Sequence, residues 1–228
     1  RNTKIMPYIL GQKNRIIDEG EMNNHDSNFG LDAKVSVGSS MTLDLTYNTD
    51  FAQVEADEQQ INLDRFSLFF PEKRAFFLEN AGLFSVGSGG GYSGPDIEMF
   101  FSRRIGVGSG GIPVPIVGGG RLTGTFSGMK VGVLSMVTDK VKDLTDQNNY
   151  SVFRLKKELP NRTHIGGMYT ALDHTGDSGY INQSYSIDAQ LGLGELNKIV
   201  AFAGLTDTPG LNKDNAYAFR LEGARDAK

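Results

Sequence analysis

The chain has 228 residues, a formal net charge of −4 and a pI near 5.4, with Lys and Arg scattered rather than striped. That leaves no electrostatic footprint for a nucleic-acid partner. Cysteine is absent, which excludes disulfide scaffolds and thiolate metal sites, and no apolar run reaches the roughly 18 residues that a transmembrane helix needs, a test that does not bear on alternating strands.

Twenty-nine glycines, many aromatics and few helix-length amphipathic segments predict an all-β chain. Thr3 to Leu10 is a first candidate strand, followed by the polar stretch Gly11 to Ser27. The clearest segment is NFGLDAKVSVGSSMTLDLTYN. Phe29, Leu31, Ala33, Val35 and Val37 share one face and Gly30, Asp32, Lys34 and Ser36 the other, a period of two. After a turn at Gly38 to Ser40 the pattern resumes, with Met41, Leu43, Leu45 and Tyr47 against Thr42, Asp44, Thr46 and Asn48, so this is a β-hairpin with one apolar and one polar face.

A long connection, Asp50 to Gly119, comes next and holds FFPEKRAFFLENAGLF, Phe69 to Phe84. Two pairs of adjacent phenylalanines fit neither a half-buried strand, whose faces alternate, nor a helix running through Pro71. The segment reads as irregular chain pinned by aromatic anchors. Further strands are expected at Gly120 to Phe126, Lys130 to Thr138, Tyr150 to Leu159 and Thr163 to Leu172. Tyr185 to Leu193, Ile199 to Thr206 and Tyr217 to Glu222 complete the set.

The connections alternate. Gly38 to Ser40, Ser127 to Gly128, Pro160 to Arg162 and Glu195 to Asn197 are tight, whereas Gly11 to Ser27, Asp50 to Gly119, Asp139 to Asn149, Asp173 to Gln183 and Asp207 to Asn215 are long and polar. An up-and-down meander with its tight turns at one end and long loops at the other is the pattern of an outer-membrane barrel. Tyr47, Tyr185 and Tyr217 on the apolar face suit an interfacial girdle. A soluble antiparallel sandwich shows the same alternation and stays open as an alternative.

The residues TLDLTYNTDFAQVEADEQQINLDRFSLFFPEKRAFFLENAGLF, FFSRRIG at Phe100 to Gly106 and GGGRLTGTFSGMKVGVLSMVT from Gly118 together resemble the family called domain of unknown function 5916. The resemblance is strongest from about Met41 to Thr138, and its QVEAD, FFPEKR and SRRIG elements are unusual together; Thr49 and Ala75 stand where the family commonly has proline. The resemblance implies the carboxy-terminal part of a long envelope protein of Bacteroidetes or some proteobacteria, with a family 9 carbohydrate-binding-like module ahead of it. It therefore implies a bacterial outer-membrane location, outer-membrane lipid as a partner and other envelope proteins as further ones.

On this reading residues 1–228 are part of one antiparallel, up-and-down transmembrane β-barrel, with 50–119 a long inserted loop or plug. A start at Arg1 and an end in EGARDAK read as a piece of a longer polypeptide, so the ten strands are not expected to close by themselves. The expected lumen or plug charge cluster is Asp32, Lys34, Asp44, Glu72, Lys73, Arg74, Glu79, Arg103 and Arg104. The expected plug anchors are Phe69, Phe70, Phe76, Phe77 and Phe84, while the Gly-rich VGSGGGYSGP can cross open space. Ordinary hydrophobic glue in a soluble core is the competing account of these phenylalanines.

Chemistry-bearing residues give no further constellation. Asp50, Glu55, Asp57, Glu58 and Asp64 are the residue types of a glycosidase pair or a Ca²⁺ site, but no spacing fixes either, and a solvated acidic loop is the simpler reading. His25, His164 and His174 have no metal-ligand spacing, and Ser40, Ser102 and Ser135 lie in no nucleophile elbow. GGRLTGTF and VGSGGG lack the Lys-Ser/Thr ending of a phosphate loop. The expectation is a non-enzymatic protein without cofactor or metal, serving passage or docking of a carbohydrate-linked substrate. The alternatives are a soluble β-sandwich that binds or hydrolyses glycans and a structural subunit of an envelope assembly.

Overall fold

A computed structural model of the chain describes residues 3–16, 22–49, 72–86, 98–108, 112–142, 144–176, 179–211 and 216–225, with the backbone alone for 10–16 and 22–28. Phe69, Phe70, the five loop carboxylates from Asp50 to Asp64 and nearly all of VGSGGGYSGP lie outside the described residues.

Ten strands form one antiparallel sheet in strict chain order. They are β1 (Thr3–Ile16), β2 (Met22–Val37), β3 (Met41–Tyr47), β4 (Ile116–Phe126), β5 (Met129–Thr138), β6 (Asn148–Leu159), β7 (Thr163–His174), β8 (Tyr180–Leu193), β9 (Asn197–Asp207) and β10 (Tyr217–Arg225). Every predicted strand is present and most are longer than expected. The polar stretch Gly11 to Ser27, read as a long loop, is mostly strand, with Gly11 paired to Ser27 and Ile16 to Met22. Backbone pairing overrides the polar composition there, because a ladder asks only for paired amides when one face stays wet. The connection read as Asp173 to Gln183 likewise shrinks, since β7 runs to His174 and β8 starts at Tyr180.

Turn chemistry fixes the tight connections. Ser127 and Gly128 both have positive φ, 49° and 70°, the left-handed pair that matches the twist of a two-residue hairpin. β4 carries a bulge at Val117, where pairing jumps from Ile116 with Thr138 to Gly118 with Val137. The bulged carbonyl accepts from Asn48 N–H at 2.9 Å, tying the end of β3 to the start of β4.

The strands form a single sheet and not the two packed layers of a sandwich, and the sheet is open: β1 pairs with β2 and β10 with β9 at its two edges. The ten strands thus do not close on themselves, as the sequence reading expects of them. The core lies between this sheet and the inserted connection. Buried Ile116, Leu134, Met136, Val152, Met168 and Phe202 of β4 to β9 pack with Phe77, Phe84, Val86 and Ile105 of the insert. The insert contributes a single-turn helix, Ala75–Leu78, and 3₁₀ turns at Ala81–Phe84 and Ser102–Arg104.

The face that carries the insert, the inner face, holds the charges. Asp44, Arg121, Arg154 and Asp188 are all buried there. The outer face leaves large apolar side chains uncovered: Ile5, Ile9, Phe29, Leu45, Ile165, Ile187, Leu205, Tyr217, Phe219 and Leu221 are all exposed, Phe219 by 76%. Asp32 and Arg220 share the inner parity, and Leu31 and Leu43 the outer one, as the sequence pattern requires.

Candidate functional site

Cross-strand neighbours assemble the first inner cluster. Lys34 of β2 pairs in register with Asp44 of β3, which pairs with Arg121 of β4, so three charges stand in one row. Arg121 Nη2 donates to Asp44 Oδ2 at 2.7 Å, with the Arg121 and Asp44 side chains 2% and 7% exposed. Arg121 Nη1 also donates to the carbonyls of Phe76 and Glu79, and its guanidinium lies 5.1 Å from the Phe76 ring centre. One sheet arginine thus holds the end of the helix Ala75–Leu78 by its otherwise unpartnered carbonyls. Lys34 completes the bridge, ion-pairing with Asp44 at 3.4 Å and with Glu79 of the insert. Asp32 accepts from Thr46 Oγ1 at 2.6 Å, and Asn80 Nδ2 donates to Thr123 Oγ1 at 3.1 Å.

A second cluster ties the insert to itself. Glu72 takes both Nε and Nη2 of Arg74 at 2.8 Å, the backbone N–H groups of Lys73 and Arg74, and the Ser102 hydroxyl at 2.8 Å. Arg74 goes on to donate to the carbonyls of Ser102 at 2.8 Å and Ile105 at 2.7 Å, and its guanidinium sits 4.1 Å from the Phe77 ring centre. Burial pushes the Glu72 carboxyl up, but hydrogen bonds and charge from Arg74, with the Ser102 hydroxyl, more than offset it and hold the group below the usual carboxylate range. This node closes the FFPEKR segment onto the SRRIG segment, so two stretches that sequence inspection singles out separately are one structural unit.

Of the predicted anchors, Phe77 and Phe84 are buried and Phe76 is half-buried. Phe76 and Phe77 meet edge to face at 5.1 Å, and Phe84 meets Phe100 at 5.9 Å. Arg103 is buried, whereas Lys73 and Arg104 are exposed. The predicted cluster is thus two clusters, one between sheet and insert and one within the insert.

Further along the inner face is an ion pair that sequence reasoning missed. Arg154 of β6 makes a two-pronged pair with Asp188 of β8, Nη2 to Oδ2 at 2.9 Å beside the Nη1 to Oδ1 contact, with both side chains almost fully buried. These strands are not neighbours; β7 lies between them, and the guanidinium crosses it over Gly166. A Cβ at Gly166 would stand 2.6 Å from Arg154 Nη1, so a larger residue there would have to displace the guanidinium from its present path. His164 Nε2 is 3.4 Å from Asp188 Oδ2. Ser85, Arg154, Lys156, His164, Asp188 and Gln190 line a polar cavity of about 260 Å³. Ser85, His164 and Asp188 are the residue types of an acyl-transfer triad, but Ser85 Oγ donates to Gly82 O at 2.8 Å and Arg154 engages both Asp188 oxygens. Arg154 sits in an ordinary-looking FRLKK run and its partner is 34 residues away, so only the strand register reveals the pair.

His174 stacks on Tyr180 at 4.3 Å, and among the described residues no three His, Cys, Asp or Glu side chains converge in a metal-binding group.

Fold and site together define an all-β protein built on an antiparallel up-and-down sheet, with charges gathered beneath an inserted loop. The family model described as "Domain of unknown function (DUF5916)" matches residues 3–113, a little under half of the chain. The match spans β1 to β3 and most of the insert. No curated protein and no solved structure matches the chain.

Proposed function

We propose that this sheet is a ten-strand section of an outer-membrane β-barrel, that its inner face lines the lumen, and that the insert occupies that lumen as a plug over which a polar solute docks or passes. The observation that carries the reading is the inverted distribution of side chains: the strands bury Asp44, Arg121, Arg154 and Asp188 and leave Ile9, Ile187, Phe219 and Leu221 uncovered. In water such an apolar face is a liability, whereas in hydrocarbon it is the stable arrangement. Open edges are not tolerated in lipid, so further strands beyond β1 and β10 complete the barrel in this reading. That the solute is carbohydrate-linked rests only on the resemblance to a family whose members carry a carbohydrate-binding-like module.

These 228 residues hold no cysteine, so introduced thiols can be labelled selectively once any cysteine elsewhere in the parent protein has been replaced. In cells expressing the parent protein, Ile187→Cys and Phe219→Cys should react with a lipid-soluble maleimide and resist a charged one until the membrane is dissolved. Full reaction of both with the charged reagent in intact membranes would defeat the outer-membrane reading and favour an assembly in which this face meets another protein.

A further inference from the structure

We propose that the cavity between Ser85 and strands β6 to β8 is a binding site for a small, hydroxyl-bearing acid, a carboxylate or a phosphate monoester. The charges decide its preference. Among the described residues that line the cavity Asp188 is the one carboxylate, and the guanidinium of Arg154 takes both of its oxygens. What remains on the cavity wall is Lys156, which makes no direct hydrogen bond or ion pair among the described residues and feels the Glu158 carboxylate, already paired with Lys130, only through longer-range charge, together with His164. A site with a neutralised acid and a cation that has no direct partner favours an anion, whose oxygen supplies the acceptor that Lys156 lacks.

The rest of the wall sets the character of the ligand. Gln190 donates to the Arg162 carbonyl at 2.7 Å and keeps its own oxygen as an acceptor, and the Ser85 hydroxyl lies at the rim contributed by the insert. Such groups pair with hydroxyls and reject hydrocarbon, because an apolar ligand would leave them unpaired. About 260 Å³ suits a molecule of monosaccharide size or smaller. The site is also built rather than incidental: Gly166 opens the path by which Arg154 is held rigid against Asp188. The inference rests on the inner face being accessible to solute, as the plug reading has it, but binding does not depend on lipid on the other face.

The test is calorimetric titration of the intact parent protein, purified in detergent micelles, with D-glucuronate, glycerol 3-phosphate and D-glucose. At least one of the two acids should bind at least tenfold more tightly than glucose, and the tighter acid identifies carboxylate or phosphate as the source of the charge. Lys156→Gln should weaken that acid by at least tenfold, Lys156→Arg should restore most of the loss, and raising salt from 50 to 500 mM should weaken the unmodified protein. Lys156 is partly exposed at the cavity wall, and its replacement leaves the Arg154–Asp188 pair in place. Binding of glucose as tight as that of both acids, binding of neither acid, or an unchanged affinity in a correctly assembled Lys156→Gln protein would overturn the proposal. Because this readout is equilibrium binding, acid binding by a protein whose outer face proves accessible to charged maleimide would refute the membrane reading alone.

Discussion

Arg121 is where sheet and insert are joined by a single side chain. Its guanidinium serves Asp44 on the neighbouring strand and two carbonyls of the insert at once, from a position 2% exposed. Removing one member of a buried pair leaves the other charge without compensation, a loss of about 3–5 kcal/mol. Arg121→Ala should therefore lower the urea midpoint of the assembled protein markedly, whereas Lys73→Ala, an exposed residue beside the same segment, should leave it nearly unchanged. Glu72 gives a pH signature. Its folded carboxyl titrates below its ordinary value of 4.5, so the stability it contributes is fully present above that value and is lost as pH falls through the lowered one. Protease protection of the insert should stay level from pH 7 to 5 and decline further down, and Glu72→Gln should remove much of that decline. The parity of Asp32, Lys34 and Asp44 could be read directly from the sequence, because alternation is a local property. Arg121 stands in GGGRLTGTF with nothing to mark it except that same parity. Arg154 and Asp188 were invisible as a pair, since their meeting depends on two strand registers and on a glycine in the strand between.

At the scale of elements, strand order, faces and tight turns followed from the sequence, while strand ends did not. Pairing carried β1 and β2 through the polar residues 11–16 and 22–28, because partner amides reward extension even where side-chain alternation fades. In the insert the rejection of one long helix held, yet the chain still forms short turns at Ala75–Leu78 and Ala81–Phe84. Helices this short owe little to propensity and are held by Arg121, Phe77 and Phe84. A plug held through a few side chains should be separable from the strands. Deleting residues 66–110 from the parent protein should raise the rate of liposome swelling in small sugars severalfold while the strands still assemble. An unchanged rate with normal assembly would make the insert packing and nothing more.

Across the whole molecule, the sheet is a ribbon whose ends do not meet. β1 ends the sheet on one side and β10 on the other. Two cysteines can bridge only when their Cα atoms lie within about 7 Å. The double variant Ile5→Cys, Phe219→Cys should therefore stay reduced under oxidising conditions within one molecule of the parent protein, whereas Ala33→Cys with Leu45→Cys, in register on neighbouring strands, should cross-link more readily. Efficient bridging of the first pair would mean that these ten strands close on themselves.

The connection 48–115 also has a kinetic meaning. Nearly every other pairing in this sheet is made across a short or moderate link, so hairpins can form early and add neighbour to neighbour. Joining β3 to β4 requires closing a far longer loop, which costs roughly 3 kcal/mol more in chain entropy than a three-residue turn such as 38–40. Contacts made by the insert itself, with Arg121, Leu134 and Phe202, offset that cost only once it has folded against the strands. On this ground β1 to β3 and β4 to β10 can each form from local pairings, and the seam between them is the pairing whose closure the folded insert favours.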